Sequence, residues 1–184
     1  MDDEEMLSNI RNHTLMVARV AHALLLELRK SVTNDTLLPA EELVLAGALL
    51  HDIAKTPCLQ RDCHHAKKGR DLCIELGYKE VGEVVREHVW LFEFSPERYA
   101  CGHFFAKELV YYADKRVRHD EVVSIAARKE YILERYGNND PERHRLITEN
   151  FDNCQQLENF LFSTIGKETT DIQDMVAEFT LPGL

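Results

Sequence analysis

Apolar residues recur at helical spacing along almost the whole chain. Near its beginning, Ile10, Val17 and Leu28 fall on one stripe of a predicted helix. Ser8 precedes that stripe and is expected to cap the helix. No window shows the convincing alternation of apolar and polar residues that a half-buried strand requires. The pattern therefore predicts an all-α protein.

Turn-forming residues divide this pattern into successive helices. The second helix begins at Pro39 and stops near Pro57; because it is apolar all round, we expect it to be the central buried helix. Gly77 and Gly137 end two of the others. The predicted helices cover residues 8–30, 39–57, 65–76, 80–92, 99–117, 120–136 and 141–165.

The length favours one domain. A chain of 184 residues can bury a full core but is short for two. We predict a single domain over residues 1–184, with a helical core over residues 8–137 and a C-terminal helical extension over residues 138–184. The turn at residues 138–141 is too short to act as a linker between domains.

Composition and charge exclude several classes of partner. The chain has 22 Lys and Arg against 32 Asp and Glu, a net charge of −10, which argues against broad binding to nucleic acid or to an anionic membrane. Its longest apolar run, residues 43–50, is far below the roughly 18 residues that cross a bilayer. The N-terminus is acidic rather than basic, so we expect a cytoplasmic protein.

The cysteines do not suggest a disulfide framework. There are five, at uneven spacing, and in the expected compartment they should be reduced: Cys58, Cys63, Cys73, Cys101 and Cys154. A zinc site is a weaker alternative, because Cys58, Cys63, His64 and His65 lie within eight residues. The gap between the two cysteines is at the edge of zinc-finger spacing, and no second pair follows.

Candidate chemistry comes from polar residues that interrupt the apolar stripes. His13 lies four residues before Val17, and His88 and Asp114 are bracketed by apolar residues at helical spacing. The adjacent pair His51 and Asp52 ends the most apolar helix. Burying an unpaired carboxylate costs several kcal/mol, so inward-facing aspartates predict a cationic partner. With several imidazoles beside them, a divalent cation is the simplest one.

A structural alternative needs no metal. Asp52 could pair with Lys55, and Asp114 with Arg118, along their own helices. This account leaves three inward histidines unexplained.

The order of these residues resembles the H…HD…D signature of the HD-domain superfamily of metal-dependent phosphohydrolases. The match runs from about Asn9 to Gly137, and its most specific part is the segment Leu49-Leu50-His51-Asp52-Ile53-Ala54-Lys55. The resemblance implies an HD-domain helical bundle in which four residues bind one metal: His13, His51, Asp52 and Asp114.

Two further histidines resemble the longer HDIG-type pattern. In dinuclear members of the family, histidines at the places of His65 and His88 bind a second metal, and the aspartate of the pair, here Asp52, bridges the two. The resemblance thus implies two divalent metals per chain, with iron favoured and manganese, nickel, zinc or magnesium as other choices.

Lys55 departs from part of the family. HD-type deoxynucleoside monophosphatases carry a glutamate three residues after the aspartate, whereas Lys55 is suited to holding a phosphate as a point charge. This favours the dinuclear members. Lys115, Arg116 and Arg118 follow Asp114 closely and are further candidates for substrate binding. The alternative for that cluster is a solvated helix end favoured by the helix dipole.

The resemblance implies hydrolysis of a phosphoester or phosphoanhydride bond in a nucleotide or small phosphorylated metabolite, by attack of a metal-bound hydroxide. We assign Asp52 and Lys55 to the catalytic step. One alternative is a mixed-valence di-iron oxygenase, because oxygenases of the same superfamily use the same order of ligands. The other is a non-catalytic regulator that binds a nucleotide. The sequence leaves the oligomeric state open.

Overall fold

The computed structural model describes residues 6–61 and 63–178, and it confirms the all-α class. The C-terminal part of the predicted extension, residues 179–184, lies outside the described residues. The helices are α1 (Ser8–Ser31), α2 (Glu41–Leu50), α3 (Lys55–Arg61), α4 (His65–Glu75), α5 (Lys79–Glu87), α6 (Pro96–Ala100), α7 (Ala106–Arg116), α8 (Ile125–Tyr136), α9 (Pro141–Ile165) and α10 (Ile172–Ala177). Within the described ranges, no helix is long and apolar enough to cross a membrane.

The core is built around α1 and α7. Nine of the eleven residues of α7 are buried, whereas only three of the ten residues of α2 are, so the expectation that the second helix is the most buried was wrong. The reason is the number of neighbours: α7 packs against α1, α2, α5, α8 and α9, whereas α2 packs mainly against α1, α5 and α7. Apolar composition alone does not determine how many helices surround a given helix.

Two long predicted helices are interrupted. The helix predicted over residues 39–57 ends at Leu50, and Pro57 instead lies within the first turn of α3, where a proline is tolerated. The helix predicted over residues 99–117 is divided at Gly102, which has a φ of 71° that other residues adopt only with strain. Beyond it, the carboxylate of Glu108 accepts the Phe105 N–H and begins α7.

A short hairpin replaces the start of the helix predicted from residue 120. Strand β1 (Val117–Arg118) pairs antiparallel with β2 (Glu121–Val122), and His119 in the turn has a φ of 60°. Helix α8 begins after it, where the Ser124 hydroxyl accepts the Ala127 N–H. At the other end of the chain, α1 is preceded by Leu7 as its N-cap, and the predicted cap by Ser8 does not form.

The helix predicted over residues 141–165 is confirmed as α9. Its buried face, which includes Phe151, Leu157 and Leu161, belongs to the same apolar core as α1 and α7. The proposed division of the chain near residue 138 stays a prediction. Helix α9 packs against α1, α6, α7 and α8.

Cys58 and Cys63 form a disulfide, so the expectation that both are reduced was wrong. Cys58 lies on α3 and Cys63 shortly before α4, and their Cα atoms are 4.9 Å apart, within the range that a disulfide spans. Sulfurs joined in this way are not available as zinc ligands, which removes the alternative zinc site. The remaining cysteines are free, as predicted: Cys73, Cys101 and Cys154.

Candidate metal centre

Six candidate ligands come from five parts of the fold and lie close together beside α7. His13 lies on α1 and Asp114 on α7; His51 and Asp52 form the turn after α2; His65 begins α4, and His88 follows α5 directly. The sequence places these residues up to about a hundred positions apart, and the packing of the helices brings them together.

Two glycines allow the close packing behind this convergence. A Cβ at Gly47 would lie 2.5 Å from Val84 Cγ1, and one at Gly69 would lie 2.8 Å from Val85 Cγ1. Helix α5 therefore packs directly against α2 and α4. This close approach brings His88, at the end of α5, toward the turn that follows α2.

Asp52 lies between two groups of histidines. Its Oδ2 is 3.5 Å from His51 Nε2 and 4.0 Å from His13 Nε2. Its Oδ1 is 3.4 Å from His65 Nε2 and 3.6 Å from His88 Nε2. Each group, with Asp52, offers ligand atoms within 4.8 Å of one another and could hold a metal ion. One carboxylate therefore contributes an oxygen to each group.

Asp114 completes the group around His13. Its Oδ1 is 3.0 Å from His13 Nε2 and 3.9 Å from His51 Nε2. The first group thus contains two imidazoles and two carboxylates. A set of nitrogen and oxygen donors of this kind suits zinc, iron, manganese or nickel.

Backbone carbonyls fix the orientation of three of the imidazoles. In each ring Nδ1–H donates to a carbonyl oxygen: His13 to His119 at 3.0 Å, His51 to Ala48 at 2.7 Å and His88 to Val85 at 2.6 Å. This leaves the lone pair on Nε2, the atom that faces the aspartates. Such second contacts are typical of histidines that bind metals. The hairpin turn at His119 has this role for His13, and sequence reasoning missed it.

Two buried atoms of the site lack a hydrogen-bond partner among the described residues. They are His51 Nε2 and Asp52 Oδ1, in side chains that are 0% and 1% exposed. A buried polar atom without a partner costs about 1–3 kcal/mol. One atom belongs to each of the two groups around Asp52 that could hold a metal ion. The residues present therefore fit a metal.

The electrostatics hold Asp52, Asp114 and His65 in the states that bind cations. Burial opposes ionisation of Asp52, yet His51 and His88 hold the pKa of its carboxyl well below the usual range. Burial likewise opposes ionisation of Asp114, while Lys115 and His13 hold its pKa well below the usual range. Burial and the neighbouring His88 lower the pKa of His65 to about 4. The aspartates are ionised and His65 is neutral near pH 7.

The two lysines of the site contact its aspartates. Lys55 Nζ lies 2.6 Å from Asp52 Oδ2, so this half of the metal-free alternative is present in the structure. Lys115 Nζ donates to the His88 carbonyl at 2.9 Å and lies 3.4 Å from Asp114 Oδ2. The other half of the alternative does not form, because Arg118 instead approaches Glu121 at 3.6 Å.

A cavity of about 410 Å³ opens beside the second group of ligands. Its inner end is formed by His65, His88 and Asp114, together with Lys55 and Lys115. Apolar side chains from α8 and α9 also line it. A volume of this size suits a small molecule.

The structure does not place Arg116 or Arg118 on this cavity. The guanidinium of Arg116 contacts Glu158 and donates to the Val123 carbonyl, and the side chain of Arg118 is 38% exposed on the hairpin. Their proposed roles in substrate binding stay predictions. The arginine that does line the cavity is Arg128.

Sequence reasoning missed Arg128, although a signal was present. It lies on α8 three residues after Ile125 and four before Ile132, so it is a charged residue within an apolar stripe. The same signal identified His13 and Asp114. The side chain is buried and its Nη2 lies 3.9 Å from Asp114 Oδ1.

Comparison with known families agrees with this geometry. A family model described as the HD domain matches residues 10–149, which include all six candidate ligands and Arg128. Comparisons with curated proteins and with solved structures give no significant match.

Proposed function

This chain belongs to the HD domain family, and we propose that it is a metal-dependent phosphohydrolase acting on a small phosphorylated metabolite or nucleotide. The observation that carries the proposal is the position of Asp52, with one carboxylate oxygen toward His13 and His51 and the other toward His65 and His88. A carboxylate in that position is suited to bridging two cations.

We assign the ligands accordingly. The first cation would be held by His13, His51, Asp52 and Asp114, and the second by Asp52, His65 and His88. Two bound cations would supply what the side chains lack, which is activation of a water molecule and polarisation of a phosphoryl oxygen. Iron is our first choice of metal, since imidazole and carboxylate ligands suit it, and the same donors accept manganese, nickel or zinc.

The chain's own cations would bind the phosphoryl group. Lys55 and Lys115 lie on the cavity beside the ligands, at hydrogen-bonding or near-hydrogen-bonding distance from the two aspartates. An anion that replaces those contacts keeps both ammonium groups paired. Lys55 is the more adaptable of the two, because its side chain is 29% exposed whereas that of Lys115 is 6% exposed.

The cavity walls would orient the substrate and exclude bulk water. Side chains of α8 and α9 line the same cavity as the ligands, so a bound phosphate ester would contact both. Exclusion of water strengthens each charge–charge contact in the site. Asp52 and Lys55, which lie next to each other here, are the residues we place closest to the reacting phosphate.

Metal content and phosphate release test the proposal together. We expect two metal atoms per chain by elemental analysis, and release of phosphate from members of a panel of phosphoesters by the metal-loaded protein. Asp52→Asn keeps the shape of the side chain but weakens both sites, and it should reduce both metal content and turnover by more than about 100-fold. Glu149→Gln, on the exposed face of α9, is the matched control and should change neither.

Two results would contradict the proposal. One is a complete panel without turnover under iron, manganese, nickel, zinc and magnesium. The other is oxygen consumption by the iron-loaded protein without release of phosphate, which would establish the oxygenase alternative instead.

A further inference from the structure

Arg128 is a buried arginine with hydrogen-bonding capacity that the described residues do not use. The residue is 8% exposed, and its Nε is buried without a hydrogen-bond partner in the described part of the chain. Its Nη2 lies 3.9 Å from Asp114 Oδ1, which is too long for a hydrogen bond. Because a buried charge without close acceptors is costly, this guanidinium is placed to receive an anion from the cavity.

Arg116 gives the matched comparison within the same molecule. It is buried to a similar degree, at 5% exposed, but its guanidinium donates to Glu158, to the Tyr112 hydroxyl and to the Val123 carbonyl. Those contacts use the donors that a phosphate would need. Arg128 lines the cavity and Arg116 does not.

The wall of the cavity that α8 and α9 form is largely apolar. It is made by Ile132 and Tyr136 from α8 and by Ile147 and Phe151 from α9. Asn150 also lines the cavity, but its side chain already donates to the Val89 carbonyl and accepts the Tyr111 hydroxyl. This wall therefore offers area for apolar contact and few free hydrogen-bonding groups.

On the basis of the proposed function, we propose that the substrate is a phosphate monoester with an uncharged, largely apolar organic group. Arg128 binds the phosphate together with Lys55, and the organic group packs against Ile132, Tyr136 and Ile147. Arg128 is then a substrate-binding residue and α8 and α9 determine specificity.

Charge and hydration explain this choice of substrate. A monoester carries about two negative charges near pH 7, which match a site that has Lys55, Lys115 and Arg128 beside its cations. A guanidinium can bind two phosphate oxygens at once. A sugar phosphate would bring several hydroxyls against the apolar wall, where they would lose hydrogen bonds to water without replacement.

Calorimetric titration with phenyl phosphate tests the role of Arg128. The metal-loaded full chain is titrated under conditions in which turnover is slow. Otherwise phenyl phosphate is used in excess, so that its binding is measured before it is turned over. Removing a charge-assisted hydrogen bond with Arg128→Gln should weaken binding about 10- to 100-fold at unchanged metal content. Arg135→Gln removes the same charge from the exposed face of α8 and should leave binding unchanged.

Two further variants test the guanidinium and the apolar wall separately, and they do not require Arg128→Gln to fold. Arg128→Lys keeps the charge and loses the fork of donors, so it should weaken phenyl phosphate binding by less than Arg128→Gln does. Ile132→Asn should weaken binding of phenyl phosphate about tenfold and leave binding of inorganic phosphate unchanged, because the wall contacts only the organic group.

The outcomes separate this inference from the proposed function. If phenyl phosphate binds through Arg128 but neither it nor any other phosphoester of the panel is hydrolysed under any of the five metals, the hydrolase is refuted and the binding site is left intact. Hydrolysis that is unaffected by Arg128→Gln, or glycerol phosphate that binds as tightly as phenyl phosphate, would overturn the inference and leave the hydrolase intact. Failure of phenyl phosphate to bind the wild-type protein would also overturn it.

Discussion

Asp114 and Arg116 lie two residues apart on α7 but belong to buried polar clusters of opposite kinds. Asp114 faces the candidate metal centre, where buried atoms of His51 and Asp52 lack a hydrogen-bond partner among the described residues. Arg116 faces Glu158 of α9, where each contact is made between protein groups. We call the first cluster open because buried atoms in it lack a hydrogen-bond partner, and the second closed because Arg116 bonds to Glu158 and to the Val123 carbonyl.

The closed cluster joins helices. Tyr112 donates its hydroxyl hydrogen to Glu158 Oε1 at 2.7 Å, and Arg116 Nε donates to the Val123 carbonyl at 2.7 Å. These contacts tie α7 to α9 and to the end of the hairpin. The comparison teaches that burial of charge does not by itself identify a functional site; unused hydrogen-bonding capacity on a cavity does.

Removal of metal should have the largest effect on stability. A ligand present at about a thousand times its Kd stabilises the folded state by about 4 kcal/mol for each site. We expect a chelator to lower the melting temperature of the wild-type protein strongly, and to have no effect on Asp52→Asn, measured by differential scanning calorimetry. Equal melting curves for the wild-type protein with and without chelator would mean that bound metal does not stabilise the open cluster.

Breaking the closed cluster should destabilise the protein without affecting the metals. Glu158→Gln leaves the charge of Arg116 buried without its counter-ion, which typically costs about 3–5 kcal/mol. Urea unfolding measures the free energy of unfolding, and elemental analysis measures metal content, which we expect to be unchanged. Loss of metal in this variant would show that the two clusters are coupled through α7.

A third cluster of charged residues, which lies nearer the surface, should contribute less to the stability of the protein than the other two. Glu41 of α2 contacts Arg29 at 2.7 Å and His22 at 2.8 Å on α1. Partial burial acts in the opposite direction, but the hydrogen bonds from Arg29 and His22 lower the pKa of Glu41. A lowered pKa in the folded state means that the carboxylate stabilises the protein above the pKa of the unfolded chain, about 4.3.

That contribution should disappear as the pH falls through the lower pKa of the folded state. Glu41→Gln keeps the shape of the side chain, so at pH 7 we expect it to be less stable than wild type by under about 1 kcal/mol. The difference should approach zero in acid. Unfolding curves at several pH values would measure it, and a difference that grows toward low pH would contradict this sign.

Much of the fold could be predicted from residues close together in the sequence. Gly77, with a φ of 89°, ends α4 where predicted, and α9 runs over the predicted residues because Asp140 caps its start and Gly166 ends it. Other boundaries were missed where tertiary contacts decide them. The turn at His51 and the hairpin at His119 are held by packing and hydrogen bonds from distant residues, such as His13 to the His119 carbonyl.

The candidate site shows the same division. His13, His88 and Asp114 could be identified because each interrupts an apolar stripe, and His51 and Asp52 because they end the most apolar helix; His65 was identified only from the resemblance to the HDIG-type pattern. The roles of the lysine and arginine side chains could not be assigned in this way. Successive residues of a helix point about 100° apart, so Lys115 and Arg116 face different clusters although they are neighbours in sequence.

By itself, the sequence determined the helical class, the identity of the candidate ligands and the family signature, because these depend on local periodicity and on residue type. The tertiary structure decided that Asp52 lies between two groups of histidines, that Arg116 belongs to a closed cluster and that Arg128 lines the cavity. The physical reason is that a charge's role depends on which groups from other helices reach it, and those groups lie up to about a hundred residues away along the chain, as His13 and Asp114 do.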